Sequence, residues 1–429
     1  MKKKYRIILY TSIFLLCVVA SIILVVKKSN SVYEEESKPK VVKHKSMLSM
    51  NLEQTAGSGD YKTVTQSSWP TEGYKFNAEL SRCENGSTLS WDDTKKAVIV
   101  SGNLSDKCYV YFDIYQPTLA EYIKSQYTGT QGENSIYYHN SSLENGAGDN
   151  SYRYAGANPN NFVCFGSDAS PCPIDNLYRI IGVFGENYHG ANGKQLVKLI
   201  KYDYMTTDEL GTDGDYSQTY KEWGMDSTYK GTYGDGERIG VYYWNYKATG
   251  SATNTWSTSL LNKTNLNTNF INNIGTTWAN KIATVTWKVG GNTWANIGTK
   301  TSSVAYTNEI TNPVTTNTTD NATTYSAKIG LMYVSDYGFA ASPDAWTLTM
   351  SSYNNTTATN NNWMYMGLYE WTISRYADYS DYAFLVSYVG CVNNNLVNNY
   401  YGVRASFNLE SSVSYVSGSG SMSDPIVIN

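Results

Sequence analysis

The hydrophobic pattern is most distinct at the start of the chain. Residues 7–26 form a run of twenty uncharged, mostly apolar residues, which is long enough to cross a bilayer as a helix. Basic residues flank the run on both sides: Lys2, Lys3, Lys4, Arg6, Lys27 and Lys28. The pattern predicts a signal anchor over 7–26 after a cytoplasmic stub at 1–6, which would make this a single-pass cell-membrane protein with its C-terminal part outside. The alternative is a cleaved signal peptide.

The next segments change character twice. Residues 27–73 show no apolar period and predict a stalk or linker. Residues 74–115 contain two strand-like runs, AVIVSG and CYVYFDIY, which predict a small β module.

Residues 116–429 combine strand and helix patterns. NLYRIIGVF at 176–184 and QLVKLIKYDY at 195–204 predict a β-hairpin in the core. Thr118 and Glu121 form a capping box that predicts a short helix ending before Gly129. A second helix is predicted over 256–274, where apolar residues recur at four-residue steps. We therefore expect one large domain of the α+β class with irregular loops.

Charge limits the class of partner. The chain has 33 Lys and Arg against 37 Asp and Glu, but ten of the basic residues lie within residues 1–45. The remainder is acidic and has no basic stripe, which argues against a nucleic-acid partner. The chain also has 39 Tyr against 10 Phe, and rings with a polar tip suit wet binding surfaces as well as half-exposed strands.

Five cysteines follow the apolar run. Cys83 and Cys108 flank strand-like runs, and Cys164 and Cys172 close a short loop, so each pair predicts a local disulfide in an exported protein. Zinc is the alternative use of four cysteines, although no C-x2-C spacing occurs. Cys391 is left over.

The last third carries a recognisable motif. Residues 367–372 read GLYEWT and residues 402–404 read GVR. This pattern resembles the C-type-lectin-like fold as used in the formylglycine-generating (sulfatase-modifying factor) family. The region from residue 74 onward is also similar to Asn/Tyr-rich exported domains of unknown function from Gram-positive gut bacteria. The resemblance implies a structural role for Gly367, Glu370, Trp371, Thr372, Gly402 and Arg404.

The same resemblance implies a binding protein without the oxidase chemistry. The formylglycine-generating enzymes use a cysteine pair in the site, whereas this chain has only Cys391 after the EWT motif. The stretch between the two motifs resembles the exposed, variable face of lectin-like binding proteins. We expect its Tyr, Asn and Arg side chains to bind a protein or glycan at a surface: Arg375, Tyr376, Tyr379, Tyr382, Tyr388, Asn393, Asn394, Asn395, Asn398, Asn399, Tyr400 and Tyr401. Its Asn and Tyr bias also raises the hypothesis that residues 374–401 are diversified by adenine mutagenesis.

Other functions are open at this point. Glu370 with Asp378 or Asp381 could form the carboxylate pair of a glycan hydrolase, and a purely structural surface component is a third possibility. No cofactor is expected, except that Asp208, Glu209, Asp213 and Asp215 lie in a glycine-containing loop that could hold calcium.

Overall fold

The computed structural model describes residues 48–429, apart from residues 66–67, 71–72, 186–188, 225–227, 248, 314–321 and 355–359. The chain divides into two compact units between Gln116 and Pro117. This division lies one residue from the expected boundary between residues 115 and 116. Each unit has its own core.

Unit 1 is built from seven short strands. They are β1 (Leu48–Glu53), β2 (Tyr61–Val64), β3 (Tyr74–Phe76), β4 (Arg82–Cys83), β5 (Thr88–Asp92), β6 (Ala97–Ser101) and β7 (Cys108–Ile114). One sheet has the order β2-β1-β7-β3, with β4 also paired to β7, while β5 and β6 form a separate hairpin. Its core contains Met50 and Leu52 from β1 and Val110 and Phe112 from β7.

The predicted stalk is therefore wrong from residue 48 onward. β1 and β2 lie within residues 27–73, yet β1 is an inner strand that pairs in parallel with β7. The LSMNLE sequence of β1 is too short to show a clear strand period. Its partner strand lies about sixty residues away, so no local pattern indicates the pairing. Residues 27–47 lie outside the described residues.

Both predicted disulfides are present. Cys83–Cys108 joins β4 to β7 at positions that face each other across the two strands. Cys164–Cys172 closes the loop that follows the tenth strand. Cys391, the cysteine left over, forms no disulfide within the described part of the chain.

Unit 2 contains the remaining strands. They are β8 (Ile136–Tyr138), β9 (Tyr152–Tyr154), β10 (Phe162–Cys164), β11 (Leu177–Phe184), β12 (Leu196–Lys201), β13 (Tyr216–Thr219), β14 (Gly240–Tyr243), β15 (Val285–Lys288), β16 (Thr324–Ala327), β17 (Ile329–Gly330), β18 (Glu370–Arg375), β19 (Tyr382–Val386), β20 (Val392–Leu396), β21 (Tyr400–Gly402), β22 (Ser406–Asn408), β23 (Tyr415–Ser417) and β24 (Val427–Ile428).

The helices of unit 2 are short. The α-helices are α1 (Leu119–Ser125), α2 (Thr207–Leu210), α3 (Tyr220–Trp223), α4 (Ile271–Asn273), α5 (Gly275–Ala279), α6 (Ser302–Tyr306) and α7 (Val334–Ala340). The π-helical segments are Leu261–Phe270 and Thr307–Thr311, and the 3-10 turns are Glu133–Ser135, Ile174–Asn176, Trp294–Asn296, Pro343–Thr347 and Met350–Ser352.

Two sheets organise unit 2. The first has the order β17-β22-β12-β11-β9-β8, with β10 on β11, and the predicted hairpin forms its centre as the antiparallel pair β11 and β12. The second has the order β13-β14-β21-β18-β19-β20. This second sheet contains the EWT and GVR motifs, and its edge strand β20 contains the asparagine run.

The predicted α+β class is wrong, because the structure is mainly β. Among the described residues, strands account for 32% and helices for 20%, and the strands are spread over several small sheets. The physical reason lies in the Asn- and Thr-rich segments, whose side chains compete with helical backbone hydrogen bonds. The predicted helix over 256–274 forms chiefly as a ten-residue π-helical stretch, and the predicted amino-terminal helix α1 keeps its Thr118–Glu121 capping box but ends at Ser125.

The expected membrane anchor is also corrected. Across the described ranges no helix combines the length and apolar character that a bilayer crossing requires. The predicted stub and span at 1–26 lie outside the described residues.

The central position of β1 gives a stability prediction for unit 1. Leu52→Ala removes apolar volume from this small core and should lower the free energy of unfolding by about 2–5 kcal/mol. Amide exchange at Val110 and Phe112 measures the loss. The exposed β2 variant Lys62→Ala is the matched control. Equal protection of these amides in both variants would show that β1 does not contribute to the unit 1 core.

Candidate functional site

The Glu370–Arg404 pair lies at the centre of the motif. Glu370 begins β18 and Arg404 follows β21, and the guanidinium donates to both carboxylate oxygens at 2.8 and 2.9 Å. Their exposed fractions are only 2% and 1%. Arg404 also donates to the carbonyl of Met364 at 2.6 Å. Burial raises the pKa of Glu370 against the opposing effect of Arg404.

The other motif residues lock the second sheet to its neighbours. The Trp371 indole donates to the carbonyl of Tyr242, and the Thr372 hydroxyl donates to the carbonyl of Phe384. Gly367 has a φ of +89°, and a Cβ there would lie 1.8 Å from the Thr228 carbonyl oxygen, so only glycine fits. Gly402 packs so closely on the Tyr204 ring that a Cβ would lie 2.7 Å from it. All six residues thus act as a frame.

This geometry removes the basis for Glu370 as a catalytic acid. A general acid must reach the bond that it protonates, whereas both oxygens of Glu370 are enclosed and bonded to Arg404. Asp378 is exposed and Asp381 is half-buried, and neither has a hydrogen bond to Glu370.

Three residues of the predicted binding segment point into the protein. Arg375 and Tyr376 are buried, and Arg375 donates to the carbonyl of Val289 at 3.1 Å. Burial lowers the pKa of Arg375 to about 10. Tyr401 is buried as well, and its ring packs against Trp371 at 4.7 Å between centroids. These side chains support the segment from beneath.

A tyrosine turn follows β18. Tyr379 is 58% exposed, and its ring stacks on Tyr376 at 5.6 Å and lies 5.4 Å from half-buried Tyr382. The amide nitrogen of buried Asn254 lies 2.6–2.9 Å from the carbonyl oxygens of these three tyrosines. A single asparagine from another segment therefore holds the turn.

The asparagine run divides into inward and outward amides. Asn395 donates to the Tyr401 hydroxyl at 2.6 Å and accepts from Asn399 at 2.8 Å. Asn393 and Asn398 are exposed, and Asn394 is half-buried opposite Phe384. Some asparagines of the run therefore make structural hydrogen bonds, and others are exposed on the surface.

Six partly exposed rings form a continuous strip at the β14–β21 side of the second sheet. We call the set the aromatic strip, and it runs in the order Tyr246, Tyr243, Tyr400, Trp223, Tyr369 and Tyr388. Successive ring centroids lie 4.5, 5.5, 5.7, 6.1 and 5.2 Å apart. Tyr246 is 45% exposed, and the other five rings are half-buried. Neighbouring ring planes cross at angles from 29° to 89°, so the strip combines ring faces, ring edges and phenol hydroxyls.

The sequence predicted only Tyr388 and Tyr400 of this strip. Trp223 ends α3, Tyr243 ends β14, and Tyr369 precedes the EWT motif, so the rings come from separate segments. The direct pairing of Tyr243 with Tyr400 across β14 and β21 brings two of these segments together. No local pattern encodes that pairing.

The acidic loop does not form one cluster. Glu209 caps α2 and pairs with Lys201 at 2.7 Å, whereas Asp213 accepts from Asn269. Asp215 is buried and accepts from the backbone of Tyr246 and Leu261, while Asp208 is exposed near Arg238. Within the part of the chain that the structure covers, no group of three or more His, Cys, Asp or Glu side chains could hold a metal ion.

A buried ionic network lies inside unit 2. Asp149 accepts from Arg153 at 2.6 Å and from the Tyr306 hydroxyl at 2.7 Å, and His189 lies 3.8 Å from it. Although burial alone would raise the pKa of Asp149, the Arg153 guanidinium holds it below its usual range. Burial lowers the pKa of His139 and lowers that of His189 to about 3. Both histidines are therefore neutral in the folded protein at neutral pH.

Breaking the Glu370–Arg404 pair should be costly. Arg404→Met leaves a buried carboxylate without its partner and should lower the free energy of unfolding by about 3–5 kcal/mol. The double variant Glu370→Leu/Arg404→Met removes both charges and should recover most of this loss. Denaturant unfolding of both variants measures the difference, and equal losses would show that the pair itself is unimportant.

The two histidines predict how stability depends on pH. Their folded pKa values lie below the ordinary value of about 6.5, so the unfolded chain takes up protons first as the pH falls. Stability is then greatest above pH 6.5 and decreases toward pH 3, by at most about 1.4 kcal/mol per pH unit for each histidine. Urea unfolding between pH 7.5 and 5 checks this slope. His139→Asn/His189→Phe should flatten it, and an unchanged slope would contradict the assignment.

Comparison with known proteins was made at three levels. No family model, no curated protein and no solved structure matches the chain. The resemblance to lectin-like and formylglycine-generating domains therefore rests on the sequence motifs, and the function has to be argued from the geometry of the site.

Proposed function

We propose that this protein is a recognition protein that binds an extended neutral saccharide along the aromatic strip, without catalysis. The observation that carries the proposal is the unbroken row of six partly exposed rings, with neighbouring centroids 4.5–6.1 Å apart. Rings spaced in this way provide successive apolar contacts for successive units of a chain-like ligand.

The chemistry of the strip suits a saccharide. Sugar rings have apolar C–H faces that stack on aromatic rings and hydroxyl edges that need hydrogen-bond partners. Phenols supply both, because each tyrosine combines a flat ring with a hydroxyl that donates and accepts. Tyr and Trp also lose little conformational entropy when they bind, which favours them at contact surfaces.

The support beneath the strip favours a preformed site. Tyr401 packs against Trp223 at 5.5 Å and against Tyr369 at 5.1 Å, and its hydroxyl bonds to Asn395. Rings held from beneath need little reordering on binding, so less of the binding free energy is lost. The inward-facing residues of the predicted segment thus support the outward-facing ones.

The disulfides of the chain favour ligands that occur outside the cell. Two disulfides are compatible with an extracellular location, where free and cell-bound glycans occur. The low charge of the strip favours neutral glycans over acidic ones.

The strip makes a direct binding prediction. Single variants Tyr246→Ala and Tyr400→Ala should each weaken binding of neutral oligosaccharides by about two- to tenfold, because each removes one stacking face. A glycan array probed with the full chain identifies the ligand, and calorimetry with that ligand measures the dissociation constants.

Tyr379→Ala is the matched control, since Tyr379 is the most exposed ring of the predicted segment and lies outside the strip. Loss of binding in this variant alone would indicate that the binding site is the tyrosine turn. If no glycan or protein on the arrays binds the chain, a purely structural role is favoured instead.

A further inference from the structure

A concave site lies in unit 2 and shares no lining residue with the aromatic strip. It is a pocket of about 170 Å³ between α1, the start of β8, the end of β9 and the C-terminal turn. Six of its side chains are polar and uncharged: Gln126, Asn134, Ser135, Asn158, Asn160 and Ser419. None of the residues that line it is an acid or a base.

The walls of this polar pocket are fixed by backbone contacts. Phe162 donates its amide to the carbonyl of Gly420, and Ile426 donates to the carbonyl of Phe162. Gly420 has a φ of +80°, and a Cβ there would lie 2.5 Å from the Asn160 carbonyl oxygen. The C-terminal turn is thereby held tightly against the loop that contains Asn160.

The floor of the pocket contains a polar group without a partner. Tyr154 is only 4% exposed and its ring belongs to the core, yet its side chain lines the pocket. Its hydroxyl has no hydrogen bond to any residue in the described part of the chain. The hydroxyl is not among the fully enclosed side-chain atoms, so it opens onto the pocket and is available to a hydrogen-bonding molecule there.

The rim offers further unused groups. Asn134 donates to the carbonyl of Gln126 at 2.8 Å, which leaves its own amide oxygen open. The side chains of Asn158 and Asn160 make no hydrogen bond within the described ranges. Each amide both donates and accepts, which matches the two-way hydrogen bonding of a hydroxyl group.

One wall is a rigid apolar face. The Tyr122 ring stacks on Tyr415 at 3.6 Å between centroids with the planes 7° apart. Burial, with a hydrogen bond to Tyr415, raises the pKa of Tyr122 to about 12, so both phenols of the pocket stay neutral at physiological pH. The lining therefore combines one flat ring with neutral donors and acceptors.

We infer that this polar pocket binds a single neutral sugar residue, with its hydroxyls bonded to Tyr154, Asn158 and Asn160 and one face against Tyr122. A charged ligand would lose its hydration without gaining an opposite charge. An apolar ligand would leave the amides and the phenol hydroxyl unpaired. The volume admits several water molecules or one ring, but no longer chain.

The test uses the full chain and monosaccharide probes, which are too short to occupy several rings of the aromatic strip. Saturation-transfer NMR with methyl glycosides of neutral hexoses and N-acetylhexosamines should detect binding by at least one probe. Glucuronic acid and glucosamine are the charged comparisons and should not bind. A methyl glycoside that binds more weakly than the free sugar would distinguish a free monosaccharide from the end of a glycan as the ligand.

Tyr154→Phe is the decisive variant because it removes one oxygen and keeps the ring. It should weaken binding about two- to tenfold while the unfolding temperature stays equal or rises, since no protein hydrogen bond is lost. Asn158→Ala, at an exposed position, should weaken binding to a similar degree. Tyr379→Phe removes a hydroxyl elsewhere and is the matched control.

Three outcomes would overturn the inference. No neutral probe gives a signal, or Tyr154→Phe and Asn158→Ala both bind like the parent chain, or the charged probes bind as well as the neutral ones. A fall in the unfolding temperature of Tyr154→Phe would assign the hydroxyl to folding and would equally end the proposal.

Discussion

Buried asparagine amides satisfy the irregular backbone of unit 2, and the rest of the unit depends on them. Much of this backbone is neither helix nor strand, and carbonyls in the interior must find donors because water is excluded. Buried Asn254, Asn265, Asn292 and Asn362 each donate the side-chain amide to backbone carbonyls of other segments, and buried Asn262 donates to the carbonyl of Trp256 six residues earlier. An unpaired buried carbonyl costs roughly 1–3 kcal/mol, so the set contributes substantially to stability.

This constraint explains the composition better than a binding role alone. Asn254, which lies outside the predicted binding segment, braces the tyrosine turn. In the run at 393–399, Asn395 and Asn399 serve the interior while Asn393 and Asn398 face outward. The same residue type thus performs both tasks within seven positions.

Local patterns predicted the local features of the fold. The capping box of α1, the β11–β12 hairpin and both disulfides follow from residues that lie close together in sequence. The fold class and the extent of unit 1 did not follow, because they depend on β1 pairing with β7 and on helices too short to dominate. The aromatic strip was only partly predictable for the same reason, since Trp223 and Tyr243 meet Tyr400, and Tyr369 meets Trp223, from segments that are distant in sequence.

The EWT and GVR motifs form the buried frame of the second sheet rather than its exposed surface. The polar groups of the motif residues are buried, and their hydrogen bonds hold the second sheet together: Glu370, Arg404, Trp371 and Thr372. The aromatic rings beside them lie outside these motifs and are only partly buried. Trp223, Tyr369 and Tyr400 still pack against the core, so changes to these rings affect packing as well as the surface.

The parallel pairing of β1 with β7 sets an order of events during synthesis. β1 leaves the ribosome about sixty residues before its partner, so the nascent chain carries an open strand edge until residue 114 emerges. During that interval β2 is the one described strand that pairs with β1, and it covers one side. Unit 1 therefore closes late for its size, and its early strands need protection from pairing with other chains.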